Sequence, residues 1–124
     1  MTTSPFLKTT EKPFVAIAGK RNGYIQLATS HEIHQYAGMP DDLLLASKAW
    51  AIALEKLGAR RVYWITLSEA VHHLHIHLYP RWDDDEPKGL PLFEQRDNPN
   101  QPAWTPDSLA ARETWATHWH IEMI

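Results

Sequence analysis

The chain has 124 residues, 44% of them hydrophobic and 22% charged, and a formal net charge of −3. These proportions describe one globular domain over residues 1–124 and exclude a disordered tail, a collagen-like fibre and a multi-domain array. The absence of cysteine removes disulfides, thiolate metal sites and a cysteine nucleophile from consideration. No apolar run reaches the ~18 residues of a membrane span. Met1–Pro5 lacks the basic, then apolar, start of a secretion signal, so a cytoplasmic location is expected. The acidic balance, with a pI near 6.2, suits no nucleic-acid polymer as partner.

Residues 1–12 are polar and read as loose. Phe14–Ala18 reads as a strand, and Asn22-Gly23 favours a hairpin into a second strand, Tyr24–Ala28. A helix is expected over 41–57, with Asp41 as its cap and Gly58 as its stop. Its apolar stripe runs through Leu43, Ala46, Trp50, Ala53, Leu54 and Leu57. Arg61–Leu67 is apolar on both faces and reads as a central strand covered on two sides. Ser68-Glu69-Ala70-Val71 links it to another strand, His72–Tyr79, ended by Pro80. Residues 80–106 hold six of the nine prolines and the acidic run Asp83-Asp84-Asp85-Glu86, and read as a long surface excursion. A C-terminal helix is expected over about 106–120, with Pro106 in its first turn and Ala111, Trp115 and Trp119 on one stripe.

Four of eight histidines fall in His72-His73-Leu74-His75-Ile76-His77. On a strand, His73, His75 and His77 share one face while Leu74, Ile76 and Leu78 share the other. Three readings follow: a solvated polar face, a metal-binding strand, or covalent catalysis by imidazole. Same-face neighbours stand about 6.6 Å apart on a strand. A metal could therefore draw on two adjacent rings, with a further ligand from His31, His34, His118, His120 or a carboxylate. Neutral imidazole is also a competent nucleophile near pH 7, and its flanking rings could bind phosphoryl oxygens. Ser68 lacks the Gly-x-Ser-x-Gly setting of a hydrolase nucleophile but could touch a phosphate, and Arg81 could anchor one through its guanidinium.

His73-Leu74-His75-Ile76-His77-Leu78-Tyr79 resembles the signature of the histidine triad family, His-x-His-x-His with apolar x, and Pro80-Arg81 is similar to its continuation in hydrolase branches. The likeness covers residues 14–81. It implies an α+β fold: a mainly antiparallel five-stranded sheet, one long helix and a C-terminal helix, usually in a homodimer. It also implies hydrolysis or transfer at the α-phosphorus of nucleotides, such as dinucleoside polyphosphates or nucleoside phosphoramidates. In that scheme His75 is the nucleophile, His77 contacts the phosphoryl group, and His73 orients the central ring. Ser68, Glu69 and Arg81 are the expected substrate-binding residues. No resident metal or cofactor is expected, apart from Mg²⁺ accompanying a polyphosphate substrate. The alternatives are a nucleotide-binding regulatory module with little turnover and a metal-binding histidine strand. The chain departs from the family pattern at Ala16 and Ala18, where an acid is usual, at Glu69, where Gln is frequent, and at Glu32, which aligns with a fourth histidine.

Overall fold

The computed structural model describes residues 4–7, 10–69 and 71–124. Met1–Thr3, Lys8 and Thr9 of the expected loose start and Ala70 of the expected link lie outside the described residues. Five strands, β1 (Phe14–Ala18), β2 (Ile25–Thr29), β3 (Arg61–Ile65), β4 (His75–Arg81) and β5 (Ile121–Met123), form one sheet in the order β3-β4-β2-β1-β5. The helices are α1 (Asp41–Lys56), a short α2 (Leu90–Phe93) and α3 (Pro106–His118), with a 3-10 turn at Tyr36–Gly38. The fold class is α+β. The pairings are antiparallel except for β1 with β5, so the sheet is mixed at one edge.

One face of the sheet makes the main core. Phe14, Ala16, Ile25, Leu27, Ile76 and Leu78 pack against Leu43, Ala46, Trp50 and Leu54 of α1 and Trp115 of α3. The helix stops as its sequence demands. Gly58 has φ +107, its N–H reaches the Glu55 carbonyl, and the Ala59 N–H reaches that of Leu54, each at 3.0 Å. Its start differs from expectation. Pro40 occupies the cap without a side-chain hydrogen bond, and Asp41 and Asp42 sit in the first turn, acting through the helix dipole instead. Thr105 caps α3, its hydroxyl accepting from the Ser108 N–H at 3.1 Å, with Pro106 in the first turn.

Two strands depart from the sequence reading. β3 lies at the sheet's edge, not its centre, and leaves Trp64 45% exposed. Both faces of the strand are partly covered, Val62 packing on the main core and Tyr63 and Ile65 on the Tyr24–Tyr79 cluster, while Trp64 and Leu67 stay exposed at the edge. β4 continues through Pro80 to Arg81. The β2 ladder has already ended at Leu78, and the Pro80 carbonyl accepts from Arg21 Nε at 2.8 Å, so the missing N–H interrupts no ladder bond.

The 80–106 excursion is tied down rather than loose. Arg21 is 1% exposed; it pairs with Glu86 at 2.6 Å, donates to Gln101 Oε1 at 3.1 Å and lies over the Tyr79 ring. Three indoles hold the β1–β2 turn from behind. Trp104 donates to the Gly19 carbonyl at 2.8 Å, Trp82 to that of Asn22 and Trp50 to that of Gly23, both at 2.9 Å. Most of the tryptophans are thus structural. The second sheet face carries His75, His77 and Tyr79. Leu92 and Phe93 of α2 cover its Tyr24–Tyr79 end, and Phe6 covers Val15 and Ala28. Ser4 and Phe6 are buried, so this part of the expected loose start is docked.

Candidate active site

Register places the histidines. His75 pairs with Ala28 of β2, and His77 with Gln26 of β2 and Ile65 of β3. A cavity of about 550 Å³ opens over this patch, lined by His75, His77, Tyr24, Phe93, Ser68 and Arg96 among others.

His73 is fully buried just ahead of β4, with Nδ1 2.8 Å from Ser4 Oγ and Nε2 3.4 Å from Thr29 Oγ1. Burial holds it below the ordinary imidazole range, so it is neutral at pH 7. His75 Nδ1 lies 2.8 Å from the His73 carbonyl oxygen. A carbonyl can only accept, so the proton sits on Nδ1 and the lone pair on Nε2. Burial also lowers the pKa of His75, while that carbonyl partly opposes the shift. The His75 backbone N–H donates to Ser68 Oγ at 3.2 Å, and Ser68 sits in left-handed backbone with φ 52.

His77 lies edge-on to His75, ring centroids 4.9 Å apart, and against Phe93 at 5.0 Å. Its Nδ1 is 2.6 Å from the Tyr24 hydroxyl. Burial pushes the Tyr24 phenol up, keeping it protonated, and pushes His77 down to about 4, with further lowering by His75 and Arg96. Cations at the cavity are Lys20 and Arg96; carboxylates are Glu69 and Asp97. The Arg96 guanidinium lies 4.3 Å from the Phe93 ring centre and donates to the Phe93 carbonyl at 3.2 Å.

Of the residues singled out in the sequence, His75, His77, Ser68 and Glu69 line the cavity, with Glu69 exposed at its rim. His73 does not line it and is linked to it only through its carbonyl, which holds His75 Nδ1. Arg81 does not line it. It lies four residues beyond His77, about 13 Å along the strand, and turns to the Asp83 carbonyl and the Asp84 carboxylate. The acidic run is likewise spent locally, Glu86 being taken by Arg21. His31, His34, His72, His118 and His120 are exposed and do not line the cavity, nor does Glu32. Among the described residues, no group of three or more His, Asp or Glu side chains is arranged to hold a metal. Sequence reasoning missed Tyr24, Gln26, Lys20, Phe93 and Arg96. Tyr24 and Gln26 could have been found by alternation along β2; Phe93 and Arg96 carry no local signal.

No protein-family model matches the sequence, and no curated protein does. Among solved structures, a Zn-bound histidine triad family protein from Mycobacterium smegmatis aligns with a TM-score of 0.55 at 15% identity, over 90% of this chain and 84% of that one. A hypothetical histidine triad nucleotide-binding protein from Sulfolobus tokodaii aligns with a TM-score of 0.46 at 16% identity, over 92% of this chain and 82% of that one. The first of these alignments, over most of both chains, shows that this chain has the histidine triad fold.

Proposed function

We propose that the protein is a nucleotide phosphohydrolase or nucleotidyl transferase that reacts at an α-phosphorus through a covalent intermediate on His75. The observation that carries this reading is the His75 tautomer: a proton fixed on Nδ1 by the His73 carbonyl and a free lone pair on Nε2 beside the cavity. In the first step the Nε2 lone pair forms a bond to phosphorus, and the bond from phosphorus to the leaving group breaks with its electron pair. A polyphosphate leaves as its anion, and the amine of a phosphoramidate leaves as the neutral amine by taking a proton from solvent water. The phosphorylated ring is cationic, and its Nδ1–H remains against the His73 carbonyl. In the second step water adds to phosphorus, the P–N bond breaks, and its pair returns to His75. One water proton stays on the nucleoside monophosphate and the other passes to solvent.

His77 acts as a hydrogen-bond donor rather than a proton source. Held neutral, with Tyr24 O–H donating to Nδ1, it presents Nε2–H to a non-bridging phosphoryl oxygen. Ser68 offers a hydroxyl on the same side, and Arg96 and Lys20 supply the cationic field expected of Arg81. Tyr24, Phe93, Ile65 and Leu67 give the apolar and aromatic surface on which a base would rest. Any Mg²⁺ enters with a polyphosphate substrate. We further infer a homodimer through the outer edge of β3, which pairs with no strand among the described residues and lies beside exposed Trp64, Leu67 and Tyr36.

The test offers dinucleoside polyphosphates and adenosine phosphoramidate to the wild type and to His75→Ala, with and without chelator. The expected result is hydrolysis by the wild type, a loss of about 1,000-fold or more in the variant, and a nucleotidyl adduct on His75 by mass spectrometry after acid-free quenching. Equal hydrolysis by the variant overturns the assignment. Binding without turnover supports the regulatory-module alternative instead.

A further inference from the structure

The segment Ser4–Leu7 belongs to no strand or helix, yet it is held against the histidine strand by directed contacts. Phe6 is 1% exposed and packs on Val15 and Ala28, the two residues that continue the His75 row across β2 and β1. Its ring lies 5.1 Å from that of His75 at 30° and meets the His73 ring edge-on at 5.6 Å.

The polar side of the segment closes its own hydrogen-bond account. The Thr29 hydroxyl donates to the His31 carbonyl at 2.6 Å, so its oxygen receives Nε2–H of His73 at 3.4 Å. His73 Nδ1 is then an acceptor, and the Ser4 hydroxyl donates to it at 2.8 Å. The same Ser4 oxygen accepts the Phe6 N–H at 3.2 Å. Ser4 thereby joins the backbone of Phe6 to the ring of His73 with every group used once.

We propose that Ser4–Phe6 is a built part of the active site, with Phe6 the positioning residue for the His75 ring and Ser4 the tie that holds it there. The inference rests on the nucleophilic role proposed for His75. A single hydrogen bond from Nδ1 fixes one atom of the imidazole but leaves the ring free to rock about it. A flat aromatic neighbour removes that freedom and bars water from the covered ring face, leaving Nε2 open toward the cavity. Ser4 acts one step further back, since the His73 ring it holds belongs to the residue whose carbonyl orients His75.

The test uses the full chain with Phe6→Ala, Phe6→Leu and Ser4→Ala, read by adenosine phosphoramidate turnover and by NMR titration of the His75 ring, whose neighbours are His73 and His77, with Tyr24, Lys20, Glu69, Arg96 and Asp97 around the same cavity. For Phe6→Ala, kcat is expected to fall about 10-fold or more with KM changed less than about 3-fold, and the His75 midpoint to move up toward the ordinary imidazole value. Phe6→Leu, which keeps the cover but not the flat ring, should hold the midpoint down while recovering only part of kcat. Ser4→Ala should lower kcat in the same direction by a smaller factor, and it serves alone if Phe6→Ala does not fold. Unchanged kcat and an unmoved His75 midpoint in folded Phe6→Ala and Ser4→Ala overturn the proposal. If the wild type shows no turnover, the reaction assigned to His75 fails, and the titration still decides whether the segment governs its ring.

Discussion

Gly19 faces the ring of Tyr24 so closely that a Cβ at this position would overlap the ring carbons Cδ2 and Cε2. The glycine is required by that ring and not by its backbone angles. Gly19→Ala is expected to displace Tyr24 from His77 and to reduce kcat by about 10-fold or more without unfolding the chain. Steady-state kinetics beside a circular dichroism melt checks this. Wild-type kcat in a folded Gly19→Ala would show that the Tyr24–His77 contact does not matter to turnover.

Tyr24→Phe isolates the hydroxyl. It keeps the ring against Tyr79 and Phe93 but strands His77 Nδ1 without its partner. His77 is half-buried beside the cavity, so the unpaired acceptor costs about 1 kcal/mol, the low end for such a loss. The urea midpoint should fall accordingly, and the His77 tautomer should no longer be fixed, which ¹⁵N shifts of the ring would report.

Stability should depend on pH in a defined window. His73, His75 and His77 are all held below the ordinary imidazole value by burial, His77 to about 4. The unfolded chain takes up protons near pH 6.5, whereas the folded chain takes them up only at lower pH. This contribution is therefore complete above about pH 6.5 and is lost as the pH falls toward 4. Urea midpoints at pH 7.5, 6 and 5 should decline in that order. A flat series would contradict neutral, buried rings.

Arg21→Ala removes the buried partner of an ion pair whose carboxylate, Glu86, is partly exposed and keeps the Trp82 and Asp83 N–H groups, and it leaves the Pro80 carbonyl without its donor. A loss of about 1–3 kcal/mol is expected, together with faster proteolysis within residues 80–106. Limited digestion and chemical denaturation measure the two effects separately.

Trp64→Glu places a charge on the uncovered edge strand. Sedimentation should show the wild type at twice the 14.3 kDa chain mass and the variant at the chain mass. A monomeric wild type at micromolar concentration would remove the dimer.

The parts of the fold that were legible in the sequence are those written in a regular period. The α1 stripe and its glycine stop, the Phe14–Ala18 strand and the alternation of His75 and His77 with Ile76 and Leu78 each repeat one local rule, whereas His73 falls outside it because β4 begins at His75 and not at His72. β5 was not legible. It has three residues, follows α3 after His120 in left-handed backbone, and gains its partner only from β1. The docked start was hidden for a similar reason. Pro5-Phe6-Leu7 is too short a run to show a period, and the place of Phe6 is fixed by Val15, Ala28 and His73, residues outside its own segment. Arg81 misled because alternation puts it on the histidine face without revealing how far along the strand the cavity extends. Arg96 enters from a segment whose prolines suggested only surface.

The β1–β2 turn contributes Gly19 and Lys20 to the cavity wall, while the carbonyls behind it are occupied by the indoles of Trp104, Trp82 and Trp50. Each of those indoles comes from a different part of the chain: α1, the end of β4, and the approach to α3. The wall of the cavity is thus a meeting point of otherwise separate segments. A conservative change at Trp104, far from any reacting atom, can alter what the cavity accepts. Because these indoles end on the same short turn, their fluorescence makes a built-in gauge of whether that wall moves when a ligand enters.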